Sequence, residues 1–224
     1  MKVGKYEIDE DRVAILNSSM GPSSESAFLT LFEKYIEDRE KPLMIVLNTT
    51  GGLALSPMNL VNLCHYGHPK PNLITYAFEK CMSAGVIAMQ FGTRRISDPD
   101  TKFMFHPIRN MLTGEIAKPD SLTWRIDKSI YKSLADRCGV SVEQLRDDFP
   151  NDVYLSAQEA MIYGKKGLID EIVQAPPELR DKVKNGLRSD ISMEELEKLI
   201  NRISEITLQL AEEHMKRVRS EKNK

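Results

Sequence analysis

Asn72-Leu73-Ile74-Thr75-Tyr76-Ala77-Phe78, followed shortly by Cys81-Met82-Ser83-Ala84-Gly85 and Val86-Ile87-Ala88-Met89, reads as a strand, a tight turn and a buried helix. The run from Ala84 to Phe91 is apolar throughout and reads as a buried helix. Ser83 then stands on the first turn of that helix, where unbonded backbone N–H groups can stabilise an oxyanion. Serine is also a common residue at helix starts, so Ser83 by itself reads first as a cap, and only the rest of the chain changes that.

Two further segments end on the same edge of the expected sheet. Leu43-Met44-Ile45-Val46-Leu47 has the length and composition of a buried parallel strand, and Asn48-Thr49-Thr50-Gly51-Gly52 follows it. A Gly-Gly pair there lets the backbone approach a ligand closely and turn its N–H groups inward. Lys102-Phe103-Met104-Phe105-His106-Pro107 is another short apolar strand, with a histidine at its carboxyl end. In open α/β sheets, ligands bind outside the carboxyl ends of the strands. A lone histidine at a strand end is commonly structural. Beside Ser83 and Gly51-Gly52, His106 becomes a candidate base.

The order Gly51-Gly52, Ser83-Ala84-Gly85, Phe105-His106-Pro107 and Asn151-Asp152-Val153-Tyr154-Leu155-Ser156-Ala157 resembles the proteolytic subunit of the Clp protease. The similarity extends from about Val13 to Val173 and includes the closing Gly167-Leu168-Ile169-Asp170. It implies an α/β fold of the ββα superhelix type shared with the crotonases. It also implies Ser83 as nucleophile, His106 as base and Asp152 as the group that orients the imidazole. The backbone N–H groups of Gly52 and Ala84 match the oxyanion hole, and Gly51, Leu53 and Ile108 match the substrate path. The family further implies a polypeptide substrate, a homo-oligomeric ring and an ATP-driven AAA+ unfoldase as partner, with no cofactor and no metal. Asp147, Asp148 and Asp170 compete with Asp152 for the third role, and only the family register selects Asp152. Asp170 reads as part of the last turn-to-strand junction.

The chain departs from the family pattern in places. Asn151 stands where an arginine usually precedes the aspartate and helps two rings join. Pro107-Ile108-Arg109-Asn110 replaces a glycine-rich strand that pairs with substrate, and Thr50-Gly51-Gly52 replaces Pro-Gly-Gly. Two other readings follow: a non-catalytic assembly or binding subunit, and a crotonase-type enzyme acting on acyl-CoA.

Bulk properties are compatible with this. The 224 residues suffice for one domain with an appendage, and a net charge of -2 gives no electrostatic case for nucleic acid or an anionic membrane. Cys64, Cys81 and Cys138 are odd in number and far apart, which argues against a disulfide framework and for a reducing compartment. The amino-terminal residues have no continuous apolar run of the secretory type, and no stretch has the length of a membrane span. A cytoplasmic location is expected. His65 and His68 in Cys64-His65-Tyr66-Gly67-His68 lack a second ligand pair and read as a helix end, and His214 carries no signal.

Along the chain, strands are expected at Arg12–Leu16, Leu43–Leu47, Leu73–Phe78, Thr93–Ser97 and Phe103–His106. Helices are expected at Ser23–Glu37, Ser56–Cys64, Asp120–Cys138 and Val142–Asp147. The alternation calls for a mostly parallel sheet. The peptidase-like domain is assigned to 1–174, a charged linker opening at Ala175-Pro176-Pro177 to 175–190, and a carboxyl-terminal helix to 191–224. Ser192 and Glu195 have capping-box spacing. Met193, Leu196, Ile200, Ile203, Thr207 and Leu210, widened by Leu199 and Ile206, form a stripe that needs a covering surface. Its own domain and another subunit are equally compatible with that pattern.

Overall fold

The computed structural model describes residues 1–21, 24–53, 57–109, 122–185 and 192–222. The expected helix starts at Ser23, Ser56 and Asp120 lie outside those residues, as does Asn110.

Among the described residues, a seven-stranded sheet organises the molecule. Its strands are β3 (Val13–Leu16), β4 (Leu43–Thr49), β5 (Leu73–Met82), β6 (Arg94–Ser97), β7 (Lys102–Phe105), β8 (Val153–Ser156) and β9 (Glu171–Ile172). A small antiparallel hairpin, β1 (Lys2–Val3) with β2 (Tyr6–Glu7), precedes it. The main path runs β3-β4-β5-β6-β9 with every pair parallel, while β7 pairs in parallel with β5 and antiparallel with β8. All seven residues of β4 are buried. Leu43, Ile45 and Leu47 face one hydrophobic cluster, and Met44 and Val46 face another, as period-two alternation in a doubly covered strand requires.

β5 is longer than the apolar run that announces it. Ile74 to Ala77 pair with β6, and Lys80 to Met82 pair with β7. Between the two stretches Glu79 adopts a φ of 56°, and the register against β4 slips between Leu47 and Thr49. This bulge turns the strand toward a different partner, and so delivers Ser83 beside β7 rather than β6. The exposed Glu79 and Lys80 break the apolar pattern, which is why the strand expected from sequence ends at Phe78.

One face of the sheet is covered by α1 (Glu25–Glu37), α2 (Met58–Tyr66), α3 (Ala84–Met89) and α4 (Leu122–Cys138). In α1 the buried Phe28, Leu31, Phe32 and Tyr35 recur at helical spacing. Ser24 does not cap this helix; its hydroxyl donates back to the Gly21 carbonyl at 2.6 Å. α5 (Val142–Asp148) and α6 (Ala157–Ile162) flank β8 and start on Ser141 and Ser156, whose hydroxyls accept from Gln144 and Glu159 backbone N–H groups.

The segment read as a linker contains α7 (Pro177–Asn185), which seats Leu179 and Val183 against Met44, Val46, Ile74 and Tyr76 on the second face. Its charged majority conceals two apolar anchors one turn apart. α8 (Met193–Lys222) opens with the expected capping box, Ser192 and Glu195 bonding reciprocally. It folds back on α1 and α2, burying Ile203, Ile206 and Leu210, and Arg39 forks onto the Glu213 carboxylate at 2.7 and 3.2 Å. The choice left open by the sequence therefore falls to the chain's own domain. His214 proves to have a place: its ring lies 5.5 Å from that of His65 and 5.9 Å from that of Tyr66.

Candidate active site

The three expected segments converge at the carboxyl end of β5. Ser83 has φ 51° and ψ -116°, a conformation that side-chain-bearing residues rarely adopt. Such backbone strain costs on the order of 1–3 kcal/mol and persists only where surroundings enforce it. Here the Ser83 N–H donates to the Met104 carbonyl at 2.7 Å, and its carbonyl accepts from Val86 at 3.0 Å. The hydroxyl makes no capping bond to α3, so the capping role open to Ser83 in the sequence is not the one it fills.

Gly51 lies directly against this turn. With φ 90°, it leaves no room for a side chain: a Cβ would come 2.6 Å from Ser83 Cβ and 2.7 Å from the Met82 carbonyl oxygen. Gly52, with φ 142°, presses equally closely on the Met20 backbone, where Met20 donates to the Gly51 carbonyl and Leu53 donates to the Met20 carbonyl. The Gly51 N–H is taken by the Thr49 hydroxyl at 3.1 Å. Gly52 is exposed, and among the described residues its N–H meets no backbone acceptor. Ala84 opens α3, where helix geometry offers its N–H no partner. Two backbone donors are thus left near this turn, that of Ala84 next to Ser83 and that of Gly52 next to Gly51. Leu53 is half-buried at the rim, and Ile108 packs into the core beneath.

His106 and Asp152 arrive by strand register. Met82 pairs with Met104, so Ser83 and His106 leave neighbouring strand ends. Phe105 pairs with Val153, which puts Asp152 next to His106 as the two strands are extended. Ser83 and His106 are half-buried and Asp152 is exposed. No hydrogen bond or ion pair joins any two of these three side chains. His106 Nδ1 instead meets the carbonyl oxygen of Pro107 at 2.6 Å. A carbonyl only accepts, so Nδ1 carries the proton of this bond, and in a neutral ring that leaves Nε2 as the free nitrogen, the tautomer a general base needs.

Two competing aspartates have structural partners. Asp148 accepts from the Tyr163 hydroxyl at 2.8 Å and from the Gln144 amide at 2.7 Å. Asp170 is bound by Arg95, through the backbone N–H at 2.8 Å and Nε at 3.2 Å. Burial works to raise the Asp170 carboxyl, but Arg95 overcomes it and holds the group below its usual range. Asp147 lies on α5. Among the described residues, no group of three or more His, Cys, Asp or Glu side chains is arranged to hold a metal ion. A carboxylate the sequence did not single out, Glu25, is pushed up to about 7 by burial, against the opposing bond from the Asn59 amide at 2.7 Å.

Comparison with known proteins gives a consistent result. The family model described as Clp protease matches residues 7–176. The ATP-dependent Clp protease proteolytic subunit 3 of Synechococcus sp. (strain CC9902) is 30% identical over 150 residues, which span 63% of this chain and 72% of that protein. Among solved structures, a point mutant of ClpP1 from Listeria monocytogenes superposes with a TM-score of 0.63 at 21% identity, covering 78% of this chain and 95% of the other. That last likeness concerns the fold.

Proposed function

The chain belongs to the Clp protease family, and we propose that it is a serine endopeptidase that cleaves unfolded polypeptides by acyl transfer through Ser83, His106 and Asp152. The observation that carries this reading is the strained, uncapped Ser83 held between Gly51 and the first turn of α3. A structural serine has no need of such a backbone.

In the proposed reaction the Ser83 hydroxyl attacks the scissile carbonyl while His106 Nε2 takes its proton, then returns it to the leaving amine. The Gly52 and Ala84 N–H groups hold the oxyanion, and a donor of that kind contributes about 2.7–4 kcal/mol to the transition state. Water then releases the acyl group by the same route in reverse. Gly51, Leu53 and Ile108 border the path of the polypeptide.

The bond from His106 to Pro107 supports a resting arrangement. In the working one, Nδ1–H leaves the Pro107 carbonyl for the Asp152 carboxylate, which stabilises the imidazolium as charge develops. Assembly into a homo-oligomeric ring supplies that rearrangement and hides the sites in a chamber. An AAA+ unfoldase feeds folded substrates to it, in the cytoplasm. The first test is hydrolysis of a short fluorogenic peptide. Ser83→Ala is expected to abolish it, and full activity in that variant overturns the assignment.

The same parked histidine, together with Asn151 at the usual arginine position, favours one second reading: a non-catalytic ring subunit. Covalent labelling of Ser83 by a serine-directed phosphonate separates the two.

A further inference from the structure

α8 carries a second apolar stripe that its docking on α1 and α2 does not use. Met193, Ile200, Leu208 and Met215 are 78%, 46%, 65% and 50% exposed. They make up half of the exposed large hydrophobic residues of the described chain, gathered on one element. At about 100° per residue they fall within an arc of roughly 80°, about 120° around the helix from the buried Ile203, Ile206 and Leu210. Glu197, Ser204 and Ala211 fall in the same arc. The Ser204 hydroxyl is turned onto the Ile200 carbonyl at 2.8 Å, so it presents no unbonded donor.

Between Met193 and Met215 the stripe is symmetric about Ser204, and Val218 continues the same arc beyond it. Ile200 and Leu208 stand four residues to either side, Glu197 and Ala211 seven, and Met193 and Met215 eleven. A two-fold axis through Ser204 therefore matches Met193 with Met215, Ile200 with Leu208 and Glu197 with Ala211. Charge selects the same direction. Glu194, Glu195 and Glu197 outnumber Lys198 at the Met193 end, and Lys216, Arg217, Arg219 and Lys222 outnumber Glu212, Glu213 and Glu221 by one at the Met215 end. An antiparallel neighbour sets these ends against each other, whereas a parallel one sets like against like. Opposed macrodipoles act in the same sense.

We propose that α8 pairs antiparallel with the α8 of a second copy of this chain, about a two-fold axis at Ser204. The seam runs about 33 Å at 1.5 Å per residue. The small Ser204 at its middle allows helix axes to approach to about 8 Å there. Residue 204 then faces its own counterpart at a separation a disulfide can span.

The test uses the full chain. Ser204→Cys is expected to give a covalent dimer on mild oxidation, absent from the unaltered protein, while Met193→Cys alone gives none because its counterpart lies at the far end of the seam. Ile200→Glu with Leu208→Glu is expected to halve the particle mass in native mass spectrometry while leaving helicity by circular dichroism unchanged. No covalent dimer from Ser204→Cys overturns the proposal. So does a Met193→Cys dimer, which reports parallel pairing, or an unchanged mass in the double variant.

Discussion

Arg95 lies on β6 and Ser83 at the end of its neighbour β5, yet their surroundings are opposite in kind. Arg95 is 3% exposed, and its guanidinium is satisfied by Asp170, the Gln90 side chain and the Lys166 and Gly167 carbonyls. Around Ser83 the backbone is strained, two N–H groups lack acceptors, and the histidine and aspartate share no bond with the serine or each other. The first arrangement ties β6 to the turn before β9 and has nothing left to offer a ligand. The second, on the proposed reading, holds groups apart from the partners they need. Burial without a role in chemistry demands satisfaction. A site for chemistry tolerates its absence because the substrate, or a rearrangement, completes it.

The largest effect that would sharpen this contrast is on the unjoined side. Asp152→Asn is expected to lower peptide hydrolysis by the assembled protein on the order of 10³–10⁴-fold. A loss below tenfold would mean that the Pro107 carbonyl, not Asp152, orients His106 throughout the cycle. On the satisfied side, Asp170→Asn leaves a buried guanidinium without its anion, at a cost of about 3–5 kcal/mol. That corresponds to a fall in Tm on the order of 10 °C for a chain of this size. A Tm within 2 °C or so of the parent would break the comparison, because the knot would then contribute nothing.

Much of this was legible beforehand, and the failures share a cause. The convergence of Gly51-Gly52, Ser83 and His106 followed from strand ends, because buried parallel strands advertise themselves as unbroken apolar runs. The bulge at Glu79 did not, since two exposed charged residues interrupt the pattern inside one continuous strand. α7 was hidden in the same way: only Leu179 and Val183 touch the core, and a helix with two anchors looks like a charged linker. The separate stripes of α8 read as one in sequence, because Met193 and Ile200 lie at the edge of the same arc as Leu196 and Ile203. Nothing in composition could reveal that His106 would bond to its own neighbour's carbonyl.

Two smaller effects test the account further. Ser83→Gly removes the nucleophile but relieves the positive φ, so a stabilisation of about 1 kcal/mol is expected alongside loss of hydrolysis. Ser83→Ala keeps the strain and should show no such gain; equal Tm values in the two variants would show that the backbone is not strained. Glu25 provides the mirror image of Asp170. Both carboxylates are partly buried, but Glu25 has an amide for a partner and is pushed up to about 7, where Asp170 has a cation and is held low. An acid whose folded pKa is raised stabilises the fold below its unfolded value of 4.5, and that stability is lost as pH rises to about 7. Glu25→Gln should therefore raise stability at pH 8 by about 1 kcal/mol or less, after allowance for solvent screening, and leave it unchanged near pH 4. A thermal melt series across that range checks the sign.

The central claim is that Ser83 is an activated nucleophile. Incubation of the purified protein and of Ser83→Ala with a fluorophosphonate probe, followed by peptide mass spectrometry, tests it most directly. A single adduct on Ser83, absent from the variant, is expected. No adduct on Ser83 in any assembly state would contradict it and leave the non-catalytic subunit as the better reading.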